Sequence, residues 1–158
     1  MVVAFVGSDS FEQTPVVMIR LYNAIKKLIV EEGSCLFFFT NVGTFDFACW
    51  QVVSLLKTEY PNIKRIYAQT GYESNRDGLQ DLELCYDKIL DFHSVCETEL
   101  FAPYVRNRFM IGLCDVLVTY FDAKELQRRP RIESLTESTI KYAKRFKRRI
   151  IDLYVYKI

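Results

Sequence analysis

Short apolar runs alternate along the chain with longer stretches that carry apolar residues every three or four positions, and this alternation predicts the architecture. Residues 2–6 are continuously apolar and stop at Gly7-Ser8, as a strand buried in a parallel sheet would. Thr14-Pro15 reads as an N-cap followed by proline at the first helical position. Val17, Leu21, Ala24, Ile25, Leu28 and Ile29 then keep helical spacing until Gly33 ends the element. Leu36–Phe39 is a second strand, and a helix from about Phe45 runs until Pro61 stops it. Residues 65–68 form a third strand. Residues 70–87 begin turn-rich and polar and close in a short helix. Next come a fourth strand at 88–92, a helix opened by Pro103, a fifth strand at Val116–Tyr120, a last helix over 134–147 and a closing strand at 149–156.

Strands alternating with helices imply βαβ crossovers and a sheet covered on both faces. The expectation is an α/β protein: a Rossmann-like three-layer sandwich around a mainly parallel central sheet, as one domain over residues 1–158. In such sheets ligands bind beyond the carboxyl ends of the strands. The loops after the first, second and fifth strands are therefore the places to look.

Composition narrows the reading. At 158 residues, half of them hydrophobic, the chain can bury a core. Twenty-one basic residues against 20 acidic ones leave a formal charge of +1, with no global pull toward nucleic acid. The basic residues are nonetheless concentrated late, at Arg128, Arg129, Arg131, Lys141, Lys144, Arg145, Lys147, Arg148 and Arg149. Five cysteines without a CxxC pair and no secretory signal suggest reduced thiols in a cytoplasmic protein. No run approaches the length of a membrane span, so no membrane partner is expected. His93 is the only histidine, and with Cys85 and Cys96 it lacks zinc-ligand spacing. Neither a metal nor a cofactor is expected.

Three elements suit an anionic ligand. The loop Gly7-Ser8-Asp9-Ser10 combines a glycine that lets backbone approach closely with hydroxyl donors, or it is a simple turn. The loop 40–46, Thr-Asn-Val-Gly-Thr-Phe-Asp, leads into a helix whose free amides, with Asn41, Gly43 and Thr44, could hold a phosphate while Asp46 takes a ribose hydroxyl. On the alternative reading Thr44 caps that helix and Asp46 complements its dipole. The third element is the helix of the Arg106-Asn107-Arg108 triplet. Steps of 100° put Met110, Leu113 and Cys114 on the core side with Arg106 and Asn107 on its flanks, whereas Arg108 faces water. Arg106 and Asn107 would clamp a phosphate, or Arg106 would tie down a carboxylate such as Asp115 or Asp122. On the last helix, Leu135, Thr139, Tyr142, Ala143 and Phe146 point inward. Lys141, Lys144, Arg145 and Arg148 line the outer face, and Ser134-x-x-Glu137 fits a capping box. That basic face is read as solvated surface, with a nucleic-acid or protein interaction module as the rival.

The stretches FFFTNVGTFDFACWQVVSLLKTEYPNIKRIYA and YVRNRFMIGLCDVLVTYFD resemble small bacterial proteins of the SLOG superfamily, the Rossmann-like group that includes the DNA-processing protein DprA and the LOG phosphoribohydrolases. The similarity covers nearly the whole chain and is carried by Gly43, Phe45 and Asp46 and by Arg106 to Ile111. It implies a nucleotide-like ligand at the carboxyl edge of the sheet and, since relatives with this fold commonly dimerise through helices, a homodimer. The superfamily's Gly-Gly-Thr phosphate turn matches Glu137-Ser138-Thr139, which keeps hydroxyls at Ser138 and Thr139 and loses both glycines. Arg106 matches the LOG catalytic arginine, but Ile140, Lys141 and Tyr142 stand where those enzymes carry glutamates. The implied function is nucleotide binding or sensing without robust catalysis. The enzymatic alternative is a phosphoribohydrolase using Asp46 and Arg106, since glycosidic cleavage needs a nearby carboxylate.

Overall fold

A computed structural model of the chain describes residues 1–8, 11–72, 79–122 and 134–154. Asp9, Ser10, Arg128, Arg129, Arg131 and the end of the expected closing strand lie outside the described residues. The elements are β1 (Val2–Gly7), α1 (Pro15–Val30), β2 (Leu36–Phe39), α2 (Gly43–Glu59), β3 (Lys64–Gln69), α3 (Leu79–Cys85), β4 (Lys88–Asp91), a 3-10 turn (His93–Val95), α4 (Ala102–Leu113), β5 (Val116–Tyr120), α5 (Leu135–Arg145) and β6 (Arg149–Asp152). The strands form one six-stranded sheet in the order β4-β3-β2-β1-β5-β6. Every pairing is parallel. The fold is the Rossmann-like α/β sandwich that the alternating pattern predicts.

Local chemistry sets the boundaries. The Thr14 side chain accepts from the Val17 N–H, and Pro15 occupies the first position of α1, as expected. At Gly33 the chain turns left-handed, φ +67°, where L side chains are strained. Three limits differ from expectation, one of them β6, which stops at Asp152 with Leu153 and Tyr154 described beyond it. The second helix starts at Gly43 rather than Phe45, and the last helix ends at Arg145 because Phe146 already leaves helical geometry at ψ 6°.

Alternation along β1 divides the interior. Val3 and Phe5 face α1, α2 and the end of α3, in a core containing Phe37, Phe39, Phe45 and Tyr86. Phe5 stacks on Phe39 with ring centroids 5.2 Å apart. Ala4 and Val6 face α4 and α5, against Met110, Ile111, Cys114, Ile140 and Ala143. Burying such side chains contributes roughly 1.5–3 kcal/mol apiece. Strand order runs outward from β1 through β2 and β3 to β4, then resumes on the other side of β1 with β5. The switch between β1 and β5 is where a doubly wound sheet opens a crevice at its carboxyl edge. Among the described residues no helix is long and apolar enough to cross a membrane.

Two faces depart from the helical-wheel expectation. Leu113 is 54% exposed, and Ile111 takes its place in the core. On α5 the buried residues are Thr136, Thr139, Ile140 and Ala143, while Phe146 is about half exposed. Phe146 sits beyond the last helical turn, where 100° steps no longer place a side chain.

Candidate functional site

The carboxyl end of β1 is held between two helix starts. A Cβ at Gly7 would lie 2.4 Å from the Phe45 ring, so glycine is required there by the packing of α2 against β1. The Gly7 carbonyl accepts a 2.8 Å hydrogen bond from Thr136 Oγ1 in the first turn of α5. The Ser8 N–H donates to the Tyr120 carbonyl at 2.9 Å, extending the β1–β5 ladder across the switch point, and Ser8 is buried. The close approach that Gly7 permits is taken by Phe45, with the Phe11 and Tyr120 rings packed edge-on around it.

Behind β2, Asp46 folds back over its own loop. Its Oδ1 accepts from the Thr40 N–H at 3.0 Å and the Thr40 hydroxyl at 3.2 Å, and its Oδ2 accepts from the Asn41 N–H at 2.9 Å. Burial pushes the carboxyl up from its ordinary value near 3.8 to about 6, against the Thr40 and Asn41 hydrogen bonds and the positive charge of Arg106. Both carboxyl oxygens face the loop.

Arg106 is 2% exposed and is among the largest fully buried side chains. Arg106 Nε donates to Asn107 Oδ1 at 3.1 Å, Asn107 Nδ2 donates to Thr139 Oγ1 at 2.9 Å, and the Thr139 hydroxyl donates to the Leu135 carbonyl at 2.7 Å. A buried guanidinium costs several kcal/mol unless an anion and hydrogen bonds compensate it. Asp46 lies near enough for the Arg106 charge to favour its ionised form. Hydrogen bonds thus join Arg106 and Asn107 of α4 to Thr139 of α5, the Asp46 carboxyl of α2 feels the Arg106 charge, and Thr136, Gly7 and Phe45 link α5, β1 and α2.

The structure brings Gly7, Asp46, Arg106, Asn107 and Thr139 into this interior network. It sets Asn41, Gly43 and Thr44 on an exposed rim beside it. Asn41 has φ +56° and Gly43 φ +82°, so the loop makes a sharp left-handed entry into α2. Thr44 does not cap that helix: the N-cap is Val42, and no side chain bonds the first amides. Ser138 is half-buried within α5, one residue from the Thr139 contact. Glu137-Ser138-Thr139 lies inside a helix, not in a turn. The Ser134 hydroxyl does accept from the Glu137 N–H, as a capping box requires, but the Glu137 carboxylate pairs with Lys141 at 3.0 Å.

Arg108 is exposed, as expected, and lies 4.5 Å from the centre of the Tyr142 ring. Arg148 does not line an outer basic face. It donates to the Ile111 and Gly112 carbonyls at 3.2 and 2.7 Å, satisfying the end of α4. Asp115 accepts from the Val2 N–H, tying down the start of β1. Among the described residues no cluster of His, Cys, Asp or Glu could hold a metal ion.

Two residues outside the sequence expectation belong to the site. Thr40 contributes backbone and side chain to Asp46, and Thr136 clasps the end of β1. Thr40 stands directly after an apolar strand, a position where a hydroxyl commonly meets a helix start. Thr136 gives no comparable local signal. No family model matches the chain, and neither does any curated protein.

Proposed function

We propose that this chain is a cytoplasmic, bacterial SLOG-type protein that binds a nucleotide or nucleotide derivative at the carboxyl edge of its sheet, without robust catalysis. The observation that carries the reading is the start of α2. A 17-residue helix opens beside the switch point with its first amides uncapped by any side chain, and Gly43 and Thr44 are exposed there. Uncapped amides and the positive end of a helix dipole favour a phosphate. The Thr44 hydroxyl and the Asn41 side chain would add donors at the rim. Arg106 would supply positive potential from beneath and support the rim through Asp46 rather than clamp the ligand directly.

Asp46 faces its own loop with both oxygens, an arrangement suited to holding the rim and not to attacking or protonating a glycosidic bond. That geometry favours binding over hydrolysis.

The test is a thermal-shift series with nucleoside monophosphates, ribose 5-phosphate and inorganic phosphate. Nucleoside monophosphates should raise the melting temperature most, and Thr44→Asp, an exposed change that places negative charge at the amides, should abolish the rise. No shift with any nucleotide, or an equal shift in wild type and Thr44→Asp, would overturn the reading.

A further inference from the structure

We infer that the Phe47 ring is the surface on which the nucleobase of the ligand stacks. This rests on the phosphate reading of the α2 start and adds what the rest of the ligand meets. Phe47 lies one turn into α2 and is 55% exposed. Its ring is held from behind. Phe47 stacks on Trp50 with centroids 6.1 Å apart and planes 12° from parallel. Trp50 Nε1 donates to the Cys85 carbonyl at 3.0 Å, and the Arg65 guanidinium lies 5.8 Å from the centre of the Trp50 ring. Arg65 is fixed in turn, donating to Ser54 Oγ at 3.1 Å and to Asp87 Oδ2 at 3.3 Å. The stack thus runs from an open phenyl ring to a braced guanidinium. A planar group landing on Phe47 meets a surface already ordered, so little further freedom is lost on binding.

Helical geometry joins this ring to the amides. Steps of 100° put Gly43, Phe47, Trp50 and Ser54 within about 60° of one another around α2. Gly43 stands about 6 Å before Phe47 along the axis, at roughly 1.5 Å per residue. Helical side chains lean toward the N-terminus, so the Phe47 ring leans over the turn that carries the uncapped amides. Gly43 has no side chain of its own there, and a Cβ would meet nothing within 4 Å, so the path from amides to ring is open. A ribose spans that path, with the phosphate at one end and the base at the other. Other exposed rings are stacked as well, Phe109 on Phe92 and Phe146 on Tyr142. Both lie toward helix C-termini, where the negative end of the dipole repels phosphate. Phe47 stands near a positive end, so ring and dipole favour the same ligand, an aromatic base carried on a ribose phosphate. Stacking discriminates among bases by strength alone, which ranks purines above pyrimidines.

The test is calorimetric titration of the full chain with adenosine monophosphate, uridine monophosphate, ribose 5-phosphate and inorganic phosphate. Adenosine monophosphate should bind about tenfold more tightly than ribose 5-phosphate, with uridine monophosphate between them. Phe47→Ala, a change at an exposed position, should weaken adenosine monophosphate about tenfold, to the level of ribose 5-phosphate, and leave ribose 5-phosphate itself unchanged. Phe47→Tyr keeps an aromatic ring and should keep the wild-type order. Ribose 5-phosphate bound as tightly as adenosine monophosphate, or equal losses for both ligands in Phe47→Ala, would overturn the stacking proposal and leave the phosphate reading in place. No binding of any of the ligands would remove that reading and the proposal with it.

Discussion

Two of the helices that begin at the carboxyl edge of the sheet, α2 and α5, solve the same electrostatic problem differently. α5 starts conventionally: the Ser134 hydroxyl accepts from Glu137, Thr136 turns its hydroxyl onto the Gly7 carbonyl, and Thr139 is bonded to Leu135 and Asn107. α2 starts with Val42, which bonds nothing with its side chain, and its acidic residue reaches backward to Thr40 and Asn41 instead of forward to the helix amides. Both junctions lie beside Gly7. The contrast teaches that hydroxyl content is a poor guide to a binding loop. The threonine- and serine-rich start of α5 consumes its own donors, whereas the β2–α2 loop spends a buried carboxylate on its shape and keeps its helix dipole facing outward.

The largest effect should come from removing that carboxylate. Asp46→Ala leaves the Thr40 and Asn41 amides without their acceptor and Arg106 without its nearby anion, and should cost about 3 kcal/mol in denaturant unfolding at neutral pH. Asp46→Asn keeps the shape and removes the charge. In the folded wild type the Asp46 pKa is raised to about 6 from 3.8, so the folded protein holds this proton more tightly than the unfolded chain does. The resulting stabilisation is complete below about pH 4 and is lost as pH rises through 6. Relative to Asp46→Asn, the wild type should therefore lose about 3 kcal/mol between those limits, at about 1.4 kcal/mol per pKa unit. A difference that stays flat across this window would show that Asp46 is not buried as described.

Gly7→Ala comes next. A methyl group 2.4 Å from the Phe45 ring must displace either β1 or α2, and a loss of about 2 kcal/mol is expected from thermal unfolding. The smallest effects set the two helix starts directly against each other. Ser134→Ala should destabilise by about 1 kcal/mol through loss of a working cap, whereas Val42→Ser should stabilise by a similar amount by supplying one. The Val42→Ser variant should also bind nucleotides more weakly, because its new hydroxyl competes for the amides a phosphate would use. Equal signs for the two cap variants would erase the difference between the junctions.

The layer order and nearly every element were legible in the sequence, because apolar runs and helical periods are local signals and Pro15, Gly33 and Pro61 punctuate them. The inward orientation of Arg106 and Asn107 was legible for the same reason: both lie in mid-helix, where 100° steps hold. Leu113 misled because α4 is apolar on two sides, which makes the wheel ambiguous. Phe146 misled because it lies beyond the last helical turn. The meaning of Gly7 and Asp46 was not legible. Each depends on what the fold brings against it, Phe45 in one case and the backbone of residues 40 and 41 in the other. Arg148, read as a surface charge, finds its carbonyls 36 and 37 residues away.

The most direct measurement is an amide-resolved NMR titration of the full chain with a nucleoside monophosphate. The account predicts saturable shifts concentrated at the amides of Gly43, Thr44 and Phe45 and at Ser8, with the first turn of α5 nearly silent. Shifts confined to α5, or none at the start of α2 at millimolar nucleotide, would contradict it.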